Sequence, residues 1–376
     1  MLGATMFGAS IQSSITIRNS PLSNSETSAR AHSIETDEVS AIDYCYEKGW
    51  AADGLPVIPP EKSRVESMLA MEGRPAETII ASHPTTGKEC SVLAAATNAV
   101  MAGCLPEYFP VVVAALEAAD KTPYNFHAAA ASTGGSAPLL IVSGPMVEEI
   151  GMNSGAGVFG PGNRANATIG RAMRLILLNV FEMIPGLSDQ STHGTPGKYS
   201  FCIAERSDAN PWEPLNVELG YPEDVSSVTV FAGSSFNNVE NHGGNTPESI
   251  LDSIADSMGN LGNITIGESV IVLSPEHAEI VASTGFTRQD VKQYLFANAK
   301  RTVNEMKSVG KYVEREHQLQ QKLQNTHDMH RGLSADDILV TVAGGLAGGH
   351  SAFIASWSRT RASLMQSAAI GVCIDC

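Results

Sequence analysis

Apolar positions recur at three- and four-residue steps over 92–101, where Gly103 follows, and again over 106–119, so the pattern predicts two packed helices. Residues 39–50 have the same helical spacing, whereas 55–60, LPVIPP, must be extended because a residue before proline is pushed out of the helical region. Leu139 to Val142, bounded by Pro138 and by Gly144-Pro145, is a short apolar run that predicts a buried strand. From Ala165 the stripe Ile169, Ala172, Ile176 and Val180 predicts a long helix with one buried face, stopped by Pro185-Gly186. Tyr199 to Ala204 alternates instead, with Tyr199, Phe201 and Ile203 on one face and Ser200, Cys202 and Ala204 on the other.

The second half restarts the succession. Strands are expected at 228–231, 269–273 and 338–342, and helices at 247–258 and from Pro275 and Thr287. The stretch 312–331 is rich in Gln, His and charge and is expected as a solvated helix or surface insertion. The fold class is therefore α/β, as two similar α/β lobes facing one another across a cleft, with a glycine-rich turn in each. The expected division is a disordered leader at 1–38, a first lobe at 39–213, a second at 214–367 and a tail at 368–376, with Pro211 to Pro214 as a rigid connector. The leader is rich in Ser and Thr and has no acidic residue before Glu26, which suits plain disorder or a mitochondrial transit peptide.

Two glycine loops follow strands and carry the candidate chemistry. In the first, Gly160 and Gly162 can take positive φ and bring backbone close to a ligand, Asn163 is a good N-cap, and Arg164, Asn166 and Arg171 follow at once, with Arg174 beyond. Cations near the positive end of a helix dipole call for an anion, supplied by a ligand or by carboxylates of a neighbouring element. The second loop runs from Ala343 through Gly345 to His350, which is either a base in the cleft or a capping histidine. His193, Lys198 and Glu205 flank the turn and strand after the arginine helix and offer a base, a cation and a carboxylate, unless Lys198 and Glu205 are surface ion-pair partners.

Composition narrows the classes. A net charge of −16 without a basic run argues against nucleic acid and anionic membrane surfaces, and the longest apolar region is interrupted by polar residues and proline, so a soluble, cytoplasmic chain is expected, with the mitochondrial matrix as alternative if 1–38 is a transit peptide. Six scattered cysteines do not form a secreted disulfide scaffold. Cys104 ends a helix and Cys202 lies in a strand, positions that suit small core residues as well as nucleophiles. Cys373 and Cys376 have the C-x-x-C spacing of a redox disulfide that a thiol reductant partner could reduce, or are incidental to a docked apolar tail. No Walker lysine, dinucleotide fingerprint, G-x-S-x-G or H-E-x-x-H is present, so no cofactor and no metal site is supported by motif.

The blocks GLPVIPP, NAVMAGCLPEYFPVVVAALEAA, GPGNRANATIGRAMRL, GKYSFCIAE and PWEPL, in this order, resemble the large uncharacterised bacterial proteins that accompany the UGSC-motif (seleno)protein family. The likeness spans roughly residues 50 to 350. It implies thiol or selenol redox chemistry, because in that family this region stands beside a module bearing U/C-G-S-C. This chain carries no such motif and ends instead in Cys373-Ile374-Asp375-Cys376. Three functional expectations follow. The first is an enzyme that binds a small anionic organic substrate at the glycine-arginine loop and uses thiols, at Cys373 and Cys376 or Cys104 and Cys202. The second is a cofactor-free lyase or hydrolase in which Arg164, Arg171 and Lys198 hold the anion and His193, His350 or Glu205 moves a proton. The third is a non-catalytic binding or scaffold subunit, and a homo-oligomer is compatible with all three.

Overall fold

The computed structural model describes residues 14–18, 31–35, 37–324, 327–359 and 361–371. Ser14–Arg18 (β1) and Ala31–Glu35 (β2) pair antiparallel, so the expected leader contains a ribbon, and the helical part begins at Glu38–Glu47 (α1), capped by Asp37. Lys62–Glu72 (α2) is followed by the hairpin of Ile79–Ser82 (β3) and Glu89–Ser91 (β4), then by Val92–Ala102 (α3), Phe109–Asp120 (α4) and Phe126–Ala131 (α5). Ala137–Ser143 (β5) and Met146–Glu149 (α6) lead to Arg164–Asn179 (α7), Cys202–Ala204 (β6), Leu215–Glu218 (α8) and the long Ser227–Glu240 (β7). The rest comprises Pro247–Gly259 (α9), Ser269–Leu273 (β8), Pro275–Ser283 (α10), Arg288–Asn298 (α11), Lys300–Thr302 (β9), Val303–Ser308 (α12), Glu314–Gln324 (α13), Asp328–His330 (β10), Ile338–Val342 (β11), His350–Ser356 (β12) and Gln366–Ala369 (β13).

Seven strands form one mixed sheet in the order β11-β8-β12-β7-β5-β6, with β13 on β7. The order has a twofold pattern. β6 runs parallel to β5, and β5 antiparallel to β7; β11 runs parallel to β8, and β8 antiparallel to β12. The long β7 joins these sets, because its first part pairs with β5 and β13 and its second with β12.

Alternation along these strands gives the sheet two apolar faces. On one, Leu140, Val142, Val228 and Val230 meet α3, α4 and α7, while Ile271, Leu273, Val340 and Phe353 meet α9, α10 and α11. On the other, Leu139, Ile141, Ile203 and Phe231 form a single cluster with Val270, Val272, Leu339 and Ile354. The chain just beyond edge strand β6 reaches the other edge strand, β11, where the Arg206 N–H donates to the Val342 carbonyl at 2.8 Å. Each fully buried aliphatic side chain here contributes about 1.5–3 kcal/mol of transfer free energy.

Helix α7 packs against this sheet at a spot only glycine allows. A Cβ on Gly170 would stand 2.4 Å from Ser200 Oγ and 2.8 Å from the Phe201 nitrogen. Two sequence expectations need correction. The alternating run reaches only 202–204 as strand, because Tyr199 lies in the turn after a 3-10 turn at 196–198 and is 55 % exposed. The stretch 312–331 is not wholly a solvated insertion, since Gln320 and Arg331 are fully buried, Gln320 donating to the carbonyls of His330 and Gly332 at 2.7 Å.

Candidate functional site

The glycine loop and the arginines that follow it do not converge on one site. A helix advances about 1.5 Å per residue, so ten residues from Arg164 to Arg174 put roughly 15 Å between them. Asn163 caps α7 as expected, accepting from the Asn166 N–H at 3.1 Å, while its amide donates to the Gly151 carbonyl. Arg164 donates to the Gly103 carbonyl at 2.9 Å and lines a cavity of about 250 Å³ with Arg64 and Cys104. Asn166 is buried and clamps the Asn153 backbone through both its oxygen and its amide at 2.9 Å. Gly162 keeps positive φ and is exposed.

Arg171 found a structural acid. Its guanidinium grips Asp53 at 2.7 and 3.2 Å and donates to the carbonyls of Leu55 and Pro56, tying the 53–56 segment to α7. Arg171→Met is therefore expected to lower stability by about 3 kcal/mol, since it orphans an Asp53 carboxylate that is only 2 % exposed. Urea unfolding measures the loss.

The two glycine loops do meet each other. Gly344 N–H donates to the Ser154 carbonyl at 2.9 Å, a Cβ on Gly345 would touch Ala156, and Arg206 donates to the Gly344 carbonyl. Gly157 to Gly160, Gly344, Phe236 and His350 line a cavity of about 200 Å³, and Gly160 also borders one of about 230 Å³ with Asn166, Tyr199 and Cys202. His350 is exposed, bonded to Asn238 at 3.1 Å and edge-on to His242.

Cys104 and Cys202 do not present a thiolate. Burial pushes the Cys104 thiol up to about 12 and Cys202 higher still, with Cys104 adding to the rise at Cys202. A nucleophilic cysteine needs the opposite shift. Cys373 and Cys376 lie outside the described residues. Glu205 is likewise no cleft base: it is 2 % exposed and accepts from the Leu215 N–H at 2.7 Å, the Asn210 amide at 3.0 Å and the Thr341 hydroxyl at 3.3 Å, with Arg288 at 3.6 Å.

The larger cavity, about 480 Å³, lies farther along α7, against the 185–199 connection and the 52–53 turn. Arg174, Asp189, Ser191, His193 and Lys198 line it, with Leu178, Pro185 and Ala52 as apolar wall. Lys198 donates to Asp189 and to Ser191 Oγ, each at 2.5 Å, and the Ser191 hydroxyl donates to the other Asp189 oxygen. Burial works against the Asp189 carboxylate, yet hydrogen bonds from Lys198 and Ser191 outweigh it and hold the group below the usual range. Burial lowers both Arg174 and Lys198, with Asp189 pulling the other way.

Arg174 is the under-satisfied member. It is 6 % exposed, yet its one hydrogen bond among the described residues is a long 3.5 Å contact to Asp189. None of its nitrogens is sealed without a partner, so the remaining donors keep access to solvent, and the residue lines the cavity. His193 and Lys198 were legible in the sequence as site candidates; Asp189 and Ser191 were not. Their only signal was a short polar run, DQSTH, between the helix stop and the next strand.

No protein-family model matches the chain, and no curated protein sequence matches it.

Proposed function

We propose that the chain is an enzyme acting on a small organic anion seated over Arg174 and Lys198, as a hydrolase or lyase in which His193 transfers the proton. The observation that supports this reading is Arg174, a buried guanidinium with donors to spare in a cavity large enough for a metabolite. A buried charge without full pairing is costly, and a ligand anion would offset that cost. Exposed His193 on the rim is placed to move a proton, while the Lys198–Asp189 pair holds Ser191 in a fixed orientation. The finer picture of two similar lobes facing across a cleft fits the twofold strand order and the contact between the glycine loops.

The test is turnover across a panel of small carboxylic-acid esters, amides and hydroxy acids. His193→Asn is expected to lower kcat by 10²-fold or more with little change in ligand affinity, and the doubly substituted Cys373→Ser, Cys376→Ser protein to stay active. Activity lost with the cysteines and kept without His193 would transfer the chemistry to the thiols. Ligand retention with no turnover of any panel member would leave a binding subunit.

A further inference from the structure

We propose that the ligand of the 480 Å³ cavity is a monocarboxylate carrying an apolar chain, with its carboxylate bidentate on Arg174 and its chain running outward along Leu178 and Pro185. This rests on the anion reading above and narrows it to a chemical class.

Three independent features carry it. The first is donor geometry. A guanidinium presents a planar fork that matches the two oxygens of a carboxylate, and Arg174 uses only one long contact of that fork on Asp189. The second is charge. Arg174 and Lys198 supply two positive charges and Asp189 removes one, while Asp53 at the cavity edge is already neutralised by Arg171. One positive charge is left, which one carboxylate balances; a dicarboxylate or phosphate dianion would bring a second negative charge next to Asp189. The third is the wall. Beside the polar cluster stand Leu178, Pro185 and Ala52, and on either side of the Pro185-Gly186 rim Ile184 and Leu187 are 40 % and 72 % exposed. An apolar wall in a cavity with one charged end, next in the chain to exposed apolar side chains, suits an amphiphile more than a fully hydrated ion.

Calorimetric titration of the full chain with acetate, butyrate, hexanoate and octanoate, and with succinate and inorganic phosphate, tests the class. Affinity is expected to rise about fourfold for each methylene between butyrate and hexanoate, the value of burying one CH₂. Arg174→Met should weaken hexanoate by at least tenfold at unchanged melting temperature, and Arg174→Lys should restore only part, because an ammonium cannot hold both oxygens. Leu178→Ala serves where the arginine variants do not fold: it should flatten the chain-length gradient and leave acetate unaffected. Succinate or phosphate binding more tightly than hexanoate, or equal affinity for every chain length, overturns the monocarboxylate while keeping the anion reading. Failure of every anion to bind at millimolar concentration removes both.

Discussion

Arg331→Met is expected to destabilise the fold by about 3–5 kcal/mol in urea unfolding, more than a surface charge could. Arg331 is fully buried, and burial draws its guanidinium down to about 10, which still leaves it charged at neutral pH. It donates to Ser269 Oγ at 3.0 Å, the Asn263 carbonyl and Thr265 Oγ at 2.7 Å, and the Glu268 carbonyl at 2.6 Å, with Phe353 under its charged face. Methionine keeps the length but takes the donor from all four, of which the Glu268 carbonyl alone keeps a backbone partner, the Ser356 N–H. The loss should also grow with pH. Burial raises the Glu268 carboxyl from 4.5 to about 7, with Arg331 among the cations that oppose the rise. A carboxyl raised on folding contributes stability that is full below pH 4.5 and lost as pH climbs through 7, where it ionises inside the protein. Without Arg331 that ionised form has one cation fewer, so the destabilisation should be larger at pH 8 than at pH 5. An equal loss at both pH values would uncouple the two residues.

Glu205→Ala should cost about 3–5 kcal/mol and act through the fold and not the chemistry. The carboxylate joins β6 to β11 through Thr341 and to the 210–215 connector through Asn210 and Leu215. It also faces Arg288, whose Nε is already sealed without a partner. Burial raises the Glu205 carboxyl, while the Leu215 N–H and Arg288 oppose the rise. Glu205→Gln keeps an acceptor and should lose only about 1–2 kcal/mol. A Glu205→Ala protein with unchanged melting temperature and no turnover would return this residue to catalysis.

Local pattern made much of the fold legible. The helices at 92–102, 109–120 and 247–259 and the strands at 137–143, 269–273 and 338–342 lie within a few residues of where periodicity and bounding glycines and prolines place them. These features depend on neighbours three or four residues away, or on alternation, which a chain displays directly. Strand β12 was missed because HSAFIAS follows a glycine run without an alternating polar face: both of its faces are covered, so six of its seven positions are buried.

The site was less legible, for a reason that one residue pair states. Arg171 and Asp53 are 118 positions apart, so no spacing rule could reveal that the arginine's anion was already present in the chain. Glu205 read as a cleft base because its burial depends on β11 and α11 closing over it. Cys104 and Cys202 read as small core residues or nucleophiles, and packing decides for the core, since burial raises both thiols further above their ordinary value. The sequence by itself determined many of the helices and strands, where α7 begins and that its first turns are cationic. The tertiary structure decided which cations are spent on structure and which one, Arg174, keeps donors free, because the partner of a charge is chosen by distance in space.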